Sequence, residues 1–258
     1  MLIQNKSLVG QNFVGHQFGM SLEFERCEFD GCTFAELFPT KGATALEFRQ
    51  CKVSNCTFDS LDVDCFLFGS GNVPSLYDNC HFSKCVICAP GSTATFKKCA
   101  FEHSVFRELF GFNMEFLDCS FSCDFRGAVF AGRPLQEGGA RLGRDVNRFD
   151  NNDFRQATLF DVDFRGGIDL YRQKFLFSHD LIHVTDLTAA IAALTETSNS
   201  VEDSRLARCL KGIAFSLNLT MQGGQASAVF WRRSAVMKRC EGAFDLLRTL
   251  PGTVSASL

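Results

Sequence analysis

Tyrosine, tryptophan and proline are scarce in this chain, which contains two, one and five of them among its 258 residues. Phenylalanine, in contrast, occurs 29 times. A buried tyrosine hydroxyl needs a hydrogen-bond partner, whereas a phenylalanine ring does not. The imbalance therefore indicates an interior that is filled with aromatic rings and holds few polar side-chain atoms.

Long apolar runs are also absent. No stretch of about 18 consecutive apolar residues occurs, so the sequence predicts no membrane span. The opening residues, MLIQNKSLVGQNF, lack a basic segment followed by an apolar run, and we therefore expect no secretory signal. The 13 cysteines are odd in number and mostly follow a regular spacing. This favours reduced, buried thiols in the cytoplasm over a framework of disulfides.

Motifs of common enzymes are missing as well. The chain has no serine nucleophile elbow, no phosphate-binding loop with its lysine and no protein-kinase signature. The CxxC pair of Cys85 and Cys88 has no second pair at the spacing of a zinc site. His179 and His183 lack the glutamate that a metalloprotease helix carries beside its first histidine. We therefore predict a non-catalytic protein without a cofactor or metal site.

The feature that is present is a period of five residues. In FERCEFDGCTF the rings are Phe24, Phe29 and Phe34, and cysteines precede the last two rings by two positions. A helix repeats every 3.6 residues and a strand every two, so neither explains this period. The same spacing recurs in the runs Leu8, Phe13, Phe18; Phe48, Val53, Phe58, Val63, Phe68; Tyr77, Phe82, Ile87; Phe96, Phe101, Phe106; Phe116, Phe121, Phe125 (one residue short), Phe130; and Phe149, Phe154, Leu159, Phe164.

A short extended segment followed by a bend accounts for this period. Residues two apart in an extended segment point to the same side, so the small residue and the ring both face inward. The two residues after the ring are usually polar and can bend the chain. Four such segments close a square coil of about 20 residues, and successive coils would stack at the strand spacing of about 4.8 Å.

The motifs FERCEFDGCTF, FRQCKVSNCTF, FKKCAFEHSVF and NRFDNNDFRQATLFDVDF resemble the pentapeptide-repeat family. The resemblance covers roughly residues 6–170 and implies a right-handed quadrilateral β-helix. We therefore predict a mainly β protein, with this pentapeptide-repeat solenoid over residues 1–170 and a C-terminal α-helical region. Clusters of proline and glycine predict protruding loops near 35–45, 69–75, 88–94 and 131–147.

The five-residue period ends near residue 170, and we predict a helical region over residues 171–258. Three apolar groups have helical spacing: Leu187, Ile191, Leu194; Leu206, Leu210, Ile213, Leu217; and Phe230, Met237, Phe244, Leu247. Thr185 is a candidate cap for the first group, and Asp203 suits the start of the second. The region either caps the solenoid or forms a homodimer, and the family resemblance also implies pairing through C-terminal elements.

Negative charge is concentrated in the repeat region. Residues 1–170 carry 22 acidic and 16 basic side chains, whereas residues 171–258 carry 7 and 10. An acidic rod can compete for a basic groove that normally holds DNA. The candidate partner-binding residues lie in two acidic groups and in the longest loop: Glu23, Glu25, Glu28, Asp30; Asp59, Asp62, Asp64; and Arg133, Glu137, Arg141, Arg144. The loop is alternatively an exposed insertion without a binding role.

Two functions remain open at this point. The best-characterised pentapeptide-repeat proteins protect or inhibit DNA gyrase, so the resemblance implies a DNA-mimicking modulator of a bacterial type II topoisomerase, as in self-resistance to an antibiotic or toxin. The alternative is a general protein–protein interaction scaffold with no topoisomerase target, because a fold does not fix a function. Both predict a protein partner, without direct binding of nucleic acid.

Overall fold

A β-solenoid followed by a small module of helices and strands makes up the protein, as the sequence predicts. The computed structural model describes residues 1–39, 45–63, 65–89, 92–135, 142–250 and 252–255. Three of the predicted partner-binding residues, Asp64, Glu137 and Arg141, lie outside these residues, as do parts of the loops predicted near 35–45, 88–94 and 131–147. The core of the solenoid runs through all of its coils, and the module has a second core.

Short strands separated by corners build the solenoid, and each pairs in parallel with strands of the neighbouring coils. The strands are β1 Leu2–Gln4, β2 Ser7–Val9, β3 Asn12–Val14, β4 Gln17–Phe18, β5 Ser21–Glu25, β6 Glu28–Asp30, β7 Thr33–Ala35, β8 Phe38–Pro39, β9 Ala45–Arg49, β10 Lys52–Ser54, β11 Thr57–Asp59, β12 Cys65–Leu67, β13 Ser75–Asp78, β14 His81–Ser83, β15 Val86–Cys88, β16 Thr93–Lys97, β17 Ala100–Gly111, β18 Asn113–Leu117, β19 Ser120–Ala131, β20 Phe149–Asp150 and β21 Thr158–Arg165.

The strands fall on four sides of the coil, which we number in chain order. The first side carries β1, β5, β9 and β12, and the second carries β2, β6, β10, β13, β16, β18 and β20. The third begins with β3, β7, β11 and β14, and the fourth includes β4, β8 and β15. In the described part of the chain, the seven strands of the second side correspond to about six turns.

The strand register places the repeated rings in columns inside the coil. Phe24 pairs with Phe48, and Phe34 pairs with Phe58. The rings of Phe34 and Phe58 are stacked, with centroids 4.9 Å apart. The rings and apolar side chains that have the five-residue period are buried from Phe18 onward, which confirms their predicted inward direction. Each buried phenylalanine contributes on the order of 1.5–3 kcal/mol to the stability of this core.

At many corners the chain turns with a left-handed residue two positions after the inward apolar residue. Arg26, Asn55 and Lys98 have φ angles of 54°, 54° and 53°. This conformation costs an L-residue roughly 1–2 kcal/mol. The backbone N–H of each corner residue donates to a carbonyl of the next coil, at 2.9 Å from Arg26 to Arg49 and at 2.8 Å from Lys98 to Leu117. Stacking of the coils therefore holds the corners in a conformation that the isolated chain disfavours.

The small inward residues also complete the hydrogen bonds at the corners. Ser75 Oγ donates to the carbonyl of Phe48 at 2.7 Å and accepts from the N–H of Cys51 at 3.0 Å. The thiol of Cys51 donates to the carbonyl of Phe24 at 3.4 Å, and that of Cys85 to the carbonyl of Phe58 at 3.5 Å. A buried carbonyl without a partner would destabilise the fold, so these small side chains do more than leave space.

Burial disfavours the thiolate form of the inward cysteines Cys51 and Cys85. It raises the pKa of both Cys51 and Cys85 to about 12. A thiol with such a pKa forms almost no thiolate at neutral pH and is therefore a poor nucleophile. The reduced, buried thiols predicted from the sequence are thus found throughout the coils, where no cysteine of the described residues forms a disulfide.

The module that follows combines helices with a small antiparallel sheet. Its helices are α1 Leu187–Ser200, α2 Ser204–Gln222, α3 Ala235–Arg239 and α4 Glu241–Thr249, and its strands are β22 Leu181–Val184, β23 Ala228–Trp231 and β24 Thr253–Val254. Asp203 caps α2, accepting from the N–H groups of Arg205 and Leu206. Within the described residues, none of the helices is long and apolar enough to span a membrane.

The structure corrects three details of the sequence prediction for this module. Asp186, not Thr185, caps α1, because the Thr185 hydroxyl is bonded to the carbonyl of Gly252. Phe230 lies in β23 rather than in a helix, since the run AVFW is rich in aromatic and β-branched side chains that favour strands. Cys209 and Cys240 form a disulfide, because α2 and the junction of α3 and α4 bring their Cα atoms to 5.7 Å.

The module packs on the last coil of the solenoid. Phe175, beyond the predicted boundary at residue 170, still stacks on Phe154 with centroids 5.4 Å apart. The side chain of Gln225 accepts from the N–H groups of Gly167 and Ile168 and donates to the carbonyl of Ile168 at 2.7 Å. Val229 and Trp231 of β23 pack against the core of the solenoid. The module therefore covers this end of the ring columns.

We expect Ser75→Ala to destabilise the protein by about 1–2 kcal/mol, because the carbonyl of Phe48 and the N–H of Cys51 would lose a buried partner. Ser54→Ala makes the same chemical change on the outer face of β10 and should stay within about 0.5 kcal/mol. Urea denaturation of the two variants measures the difference. Equal losses would contradict the role assigned to the inward hydroxyl.

We expect Lys98→Val to destabilise the protein by about 1–2 kcal/mol, because a β-branched side chain strongly disfavours the left-handed conformation of this corner. Lys97→Val is the matched control, since Lys97 is also exposed but lies in β16, where valine is favoured. Thermal unfolding compares the two variants. A larger loss in the control would show that the corner geometry does not limit stability.

Candidate binding surface of the solenoid

The first group of predicted acids surrounds one corner of the second coil. Glu23 and Glu25 point outward from β5 on the first side, and Glu28 and Asp30 point outward from β6 on the second side. Arg26 is the left-handed corner residue between these strands. The alternation of inward rings and outward acids follows from the period-two geometry of each short strand.

Glu47 lies directly beside this group, although the sequence analysis did not single it out, and it is only 7% exposed. It pairs directly with Glu23 in the parallel register of β5 and β9, and its side chain contacts Arg49 and Ser70. Glu47 immediately precedes the ring of Phe48, as Glu23 precedes Phe24. This shared position before the ring is the feature of the sequence from which Glu47 could have been identified. We use the name acidic edge for the set Glu23, Glu25, Glu28, Asp30 and Glu47.

Bases and amides contact most of the acidic edge. Glu28 lies 2.9 Å from Lys52, and Asp30 accepts from the amide of Asn55 at 2.7 Å. Hydrogen bonding to Glu47, with the nearby Glu25 and Glu23, raises the pKa of Arg49. Exposed ion pairs such as Glu28–Lys52 contribute only about 0–1 kcal/mol, so a basic partner can replace their intramolecular base at little cost.

The second group of predicted acids does not adjoin the acidic edge. Asp59 ends β11 on the third side and accepts from the hydroxyl of Ser60 at 3.0 Å. Asp62 is exposed and bridges to Val86 on the fourth side. Asp59 and Asp62 therefore flank the corner diagonally opposite the acidic edge, and one flat partner surface cannot contact both groups.

The segment 131–147 is tied to the solenoid at its C-terminal end. Arg144 lies 3.0 Å from Glu115 and donates to the carbonyl of Asn113 at 3.0 Å. Asn147 is buried and donates to the carbonyls of Phe112 and Ala131. Arg133, at the other end of the segment, is exposed. Arg144 thus anchors the segment, and only Arg133 of these two arginines is open to a partner.

Glu115 is the centre of this anchor. Its side chain is 5% exposed and accepts from Arg148, while the hydroxyl of Thr95 donates to it at 2.9 Å. Burial alone would raise the pKa of Glu115, but the hydrogen bonds from Arg148 and the charge of Arg144 outweigh it and leave the pKa lowered. Burial lowers the pKa of Arg144, and the negative charge of Glu115 partly offsets this effect.

Sequence comparisons provide no relative for this surface: no family model matches the chain, and no curated protein matches it. Among the described residues, no group of three or more His, Cys, Asp or Glu side chains is placed to hold a metal ion. The resemblance to pentapeptide repeats stays a prediction from the spacing of the residues.

We expect Glu115→Gln to destabilise the protein by about 2 kcal/mol at neutral pH, because two arginines would lose their buried carboxylate. The folded-state pKa of Glu115 is lowered, so this stabilisation is present above the ordinary value of 4.5 and is lost as the pH falls through the folded pKa. Urea denaturation between neutral pH and strongly acidic pH measures how the difference shrinks.

Glu108→Gln is the control for this pH series, since Glu108 is exposed at a corner. Its effect should stay within about 0.5 kcal/mol across the same range. A loss in Glu115→Gln that is the same at every pH would show that the ionised carboxylate does not stabilise the segment.

Proposed function

We propose that this chain is a non-catalytic binding protein whose solenoid presents the acidic edge to a basic groove on a protein partner. The observation that carries this proposal is the grouping of Glu23, Glu25, Glu28 and Asp30 around one corner, with the buried Glu47 beside Glu23 on the next coil. Parallel ladders fix the strands that bear these carboxylates. A preorganised charged surface steers a partner of opposite charge and sets its orientation.

The most concrete partner is a bacterial type II topoisomerase, with the solenoid acting as a DNA mimic at the DNA-binding groove of DNA gyrase. Duplex DNA carries one negative charge per about 1.7 Å of its axis, or about three in the rise of one coil. The second coil carries Glu23, Glu25, Glu28 and Asp30 on two adjoining sides. The charge density of this coil is therefore similar to that of DNA before its ion pairs are counted.

A general interaction scaffold is the second candidate, and the ion pairs favour it. Lys52 and Arg26 lie beside the carboxylates of Glu28 and Glu25, which reduces the field around the acidic edge. Asp59 and Asp62 flank the opposite corner, so acids occur on several sides rather than on one face. A partner with a smaller basic patch would then suffice, and no topoisomerase would be involved.

We expect the purified protein, at micromolar concentration, to change the supercoiling of relaxed plasmid by DNA gyrase or to reduce cleavage in the presence of a gyrase poison. The double variant Glu28→Lys with Asp30→Lys should need at least about tenfold more protein for half of the effect, because it places positive charge against a basic groove. The effect of the unaltered protein should weaken between about 50 and about 200 mM salt.

The double variant Glu102→Lys with Asp124→Lys is the matched control, since these acids lie outside the acidic edge and, like Glu28, contact a basic side chain, His81 for Glu102 and Arg126 for Asp124. It should behave like the unaltered protein, and thermal unfolding should show that both variants remain folded. If the unaltered protein has no effect where a known protector acts, the topoisomerase target is excluded and the general scaffold remains. Equal losses in both variants would exclude the acidic edge as the contact.

A further inference from the structure

Cys209 and Cys240 differ from the other cysteines in position and in chemistry. Cys209 lies in α2, and Cys240 is the residue between α3 and α4. Their disulfide joins positions 31 residues apart and ties α2 to the α3–α4 junction. The cysteines of the solenoid, in contrast, stay as thiols. The disulfide is thus a local clamp in the module and has no part in holding the coils together.

A cleft gives access to this clamp from solvent. The cleft has a volume of about 710 Å³ and lies between β21 on one side and β23 and α2 on the other. Its walls include Leu159, Leu217 and Trp231, and both Cys209 and Cys240 line it. A cleft of this volume admits a molecule of small-ligand size. A low-mass thiol therefore has room to approach the disulfide.

The two sulfur atoms are not equivalent toward such a thiol. Cys209 is half-buried, whereas Cys240 is only 7% exposed. Cys240 is the N-cap residue of α4, and its side chain makes no capping hydrogen bond. Arg239 immediately precedes it, whereas the ammonium of Lys238 lies over the ring of Phe160. A helix N-terminus and an adjacent cation both stabilise a thiolate, so Cys240 is the better leaving group and Cys209 the more accessible point of attack.

Acidic residues occur on both elements beside the pair. Asp161 and Asp163 of β21 line the same cleft. Asp163 is held by Arg165 at 2.6 Å, which reduces its effect. Glu241, the first residue of α4, directly follows Cys240, which therefore lies in sequence between Arg239 and a carboxylate.

We propose that Cys209 and Cys240 form a reversible thiol–disulfide pair, which low-mass thiols open from the cleft through a mixed disulfide at Cys209. This proposal does not depend on the proposed function of the acidic edge. The opened form frees α2 from the α3–α4 junction and leaves that wall of the cleft without its covalent tie. The buried solenoid thiols, such as Cys51 and Cys85, take no part, because burial raises their pKa and keeps their sulfur atoms inaccessible.

The exchange balances in two steps. The thiolate of one low-mass thiol attacks Sγ of Cys209, the Sγ–Sγ bond breaks, and its electron pair leaves on Sγ of Cys240. A second low-mass thiolate then attacks the low-mass sulfur of the mixed disulfide. This releases the Cys209 thiolate and a low-mass disulfide. The protein sulfurs take up the two protons that the low-mass thiols lose. Two electrons pass from the low-mass thiols to the protein disulfide, and a low-mass disulfide reverses the reaction.

Differential alkylation of the full-length, folded protein tests the pair directly. Accessible thiols are first blocked with one alkylating reagent, the protein is then treated with reduced glutathione, and newly exposed thiols are labelled with an isotopically different reagent. Mass spectrometry should find the second label on Cys209 and Cys240 and not on the buried thiols, of which Cys51 and Cys85 are examples. A glutathione adduct at Cys209 should appear at low glutathione concentration.

Two variants test the assigned roles of the sulfurs. Cys209→Ser leaves only the Cys240 thiol of the pair, and Cys240→Ser leaves only the Cys209 thiol. The rate of alkylation by iodoacetamide should rise with pH in both variants, with a lower midpoint for Cys240, because the midpoint reports thiolate formation rather than access. Hydrogen exchange in α3 and α4 should be faster in both variants than in the oxidised protein, roughly tenfold or more.

Specific results would overturn the proposal. One is the appearance of the second label on the solenoid cysteines and not on Cys209 and Cys240. A second is the absence of the second label from every cysteine after oxidation and reduction. Another is an alkylation midpoint for Cys240 that equals or exceeds that of Cys209, which removes the assignment of the leaving group. Unchanged exchange in α3 and α4 on reduction would show that the disulfide ties nothing. Circular dichroism of both variants establishes that the solenoid remains folded.

Discussion

Backbone polar atoms at the corners of the coil must find hydrogen-bond partners inside a core that is made largely of rings. Parallel ladders satisfy the straight segments, but the chain leaves the ladder wherever it turns. The backbone N–H of the left-handed corner residue donates to a carbonyl of the next coil. A small inward side chain donates to the backbone carbonyl of a residue whose ring lies in the core. Serine and cysteine serve this role at Ser75 and Cys51, and Asn152 serves it for Phe116. The small inward residue must therefore be able to donate a hydrogen bond, because the turn leaves a backbone carbonyl without a ladder partner.

The surface chemistry depends on the same constraint. Because the coils stack in register, outward residues one coil apart form columns, and Glu23 comes to lie beside Glu47. The acidic edge is therefore a property of the stacking and not of any single strand. The same stacking lets Glu115 reach Arg144 and Arg148, which follow it by about one coil in space and by a long excursion in sequence. Fixed coils position both the exposed and the anchoring charges.

The interior of the solenoid could be predicted from the sequence because a period of five residues fits neither a helix nor an ordinary strand. Phe24, Phe48 and Phe101 are buried as expected. Contacts that join distant segments left no local pattern: Arg144 reads as an exposed loop residue until Glu115 is placed beside it. Phe230 was assigned to a helix because a short apolar run has no clear period.

The prediction of reduced cysteines is wrong only for Cys209 and Cys240, and for a different reason. An argument from the number and spacing of all cysteines treats them as one population, whereas the protein contains two. Cys51 and Cys85 are inward residues that directly follow a corner of the coil, and their thiols donate to backbone carbonyls. Cys209 and Cys240 stand on helical elements outside the repeat and face each other. Only the tertiary arrangement of the module separates the second population from the first.

The unit of this architecture is one side of a square, and this has a consequence for how such a surface can change. The five-residue unit from Phe101 to Phe106 lies against the four-residue unit from Phe121 to Phe125, and the ladder shifts between Glu102 and Val105 to absorb the difference. Adding one whole unit would instead carry every later outward side chain a quarter turn around the axis while the ring columns stayed filled. An insertion of one unit can thus move charged side chains to another side of the solenoid, while the packing of the core stays the same.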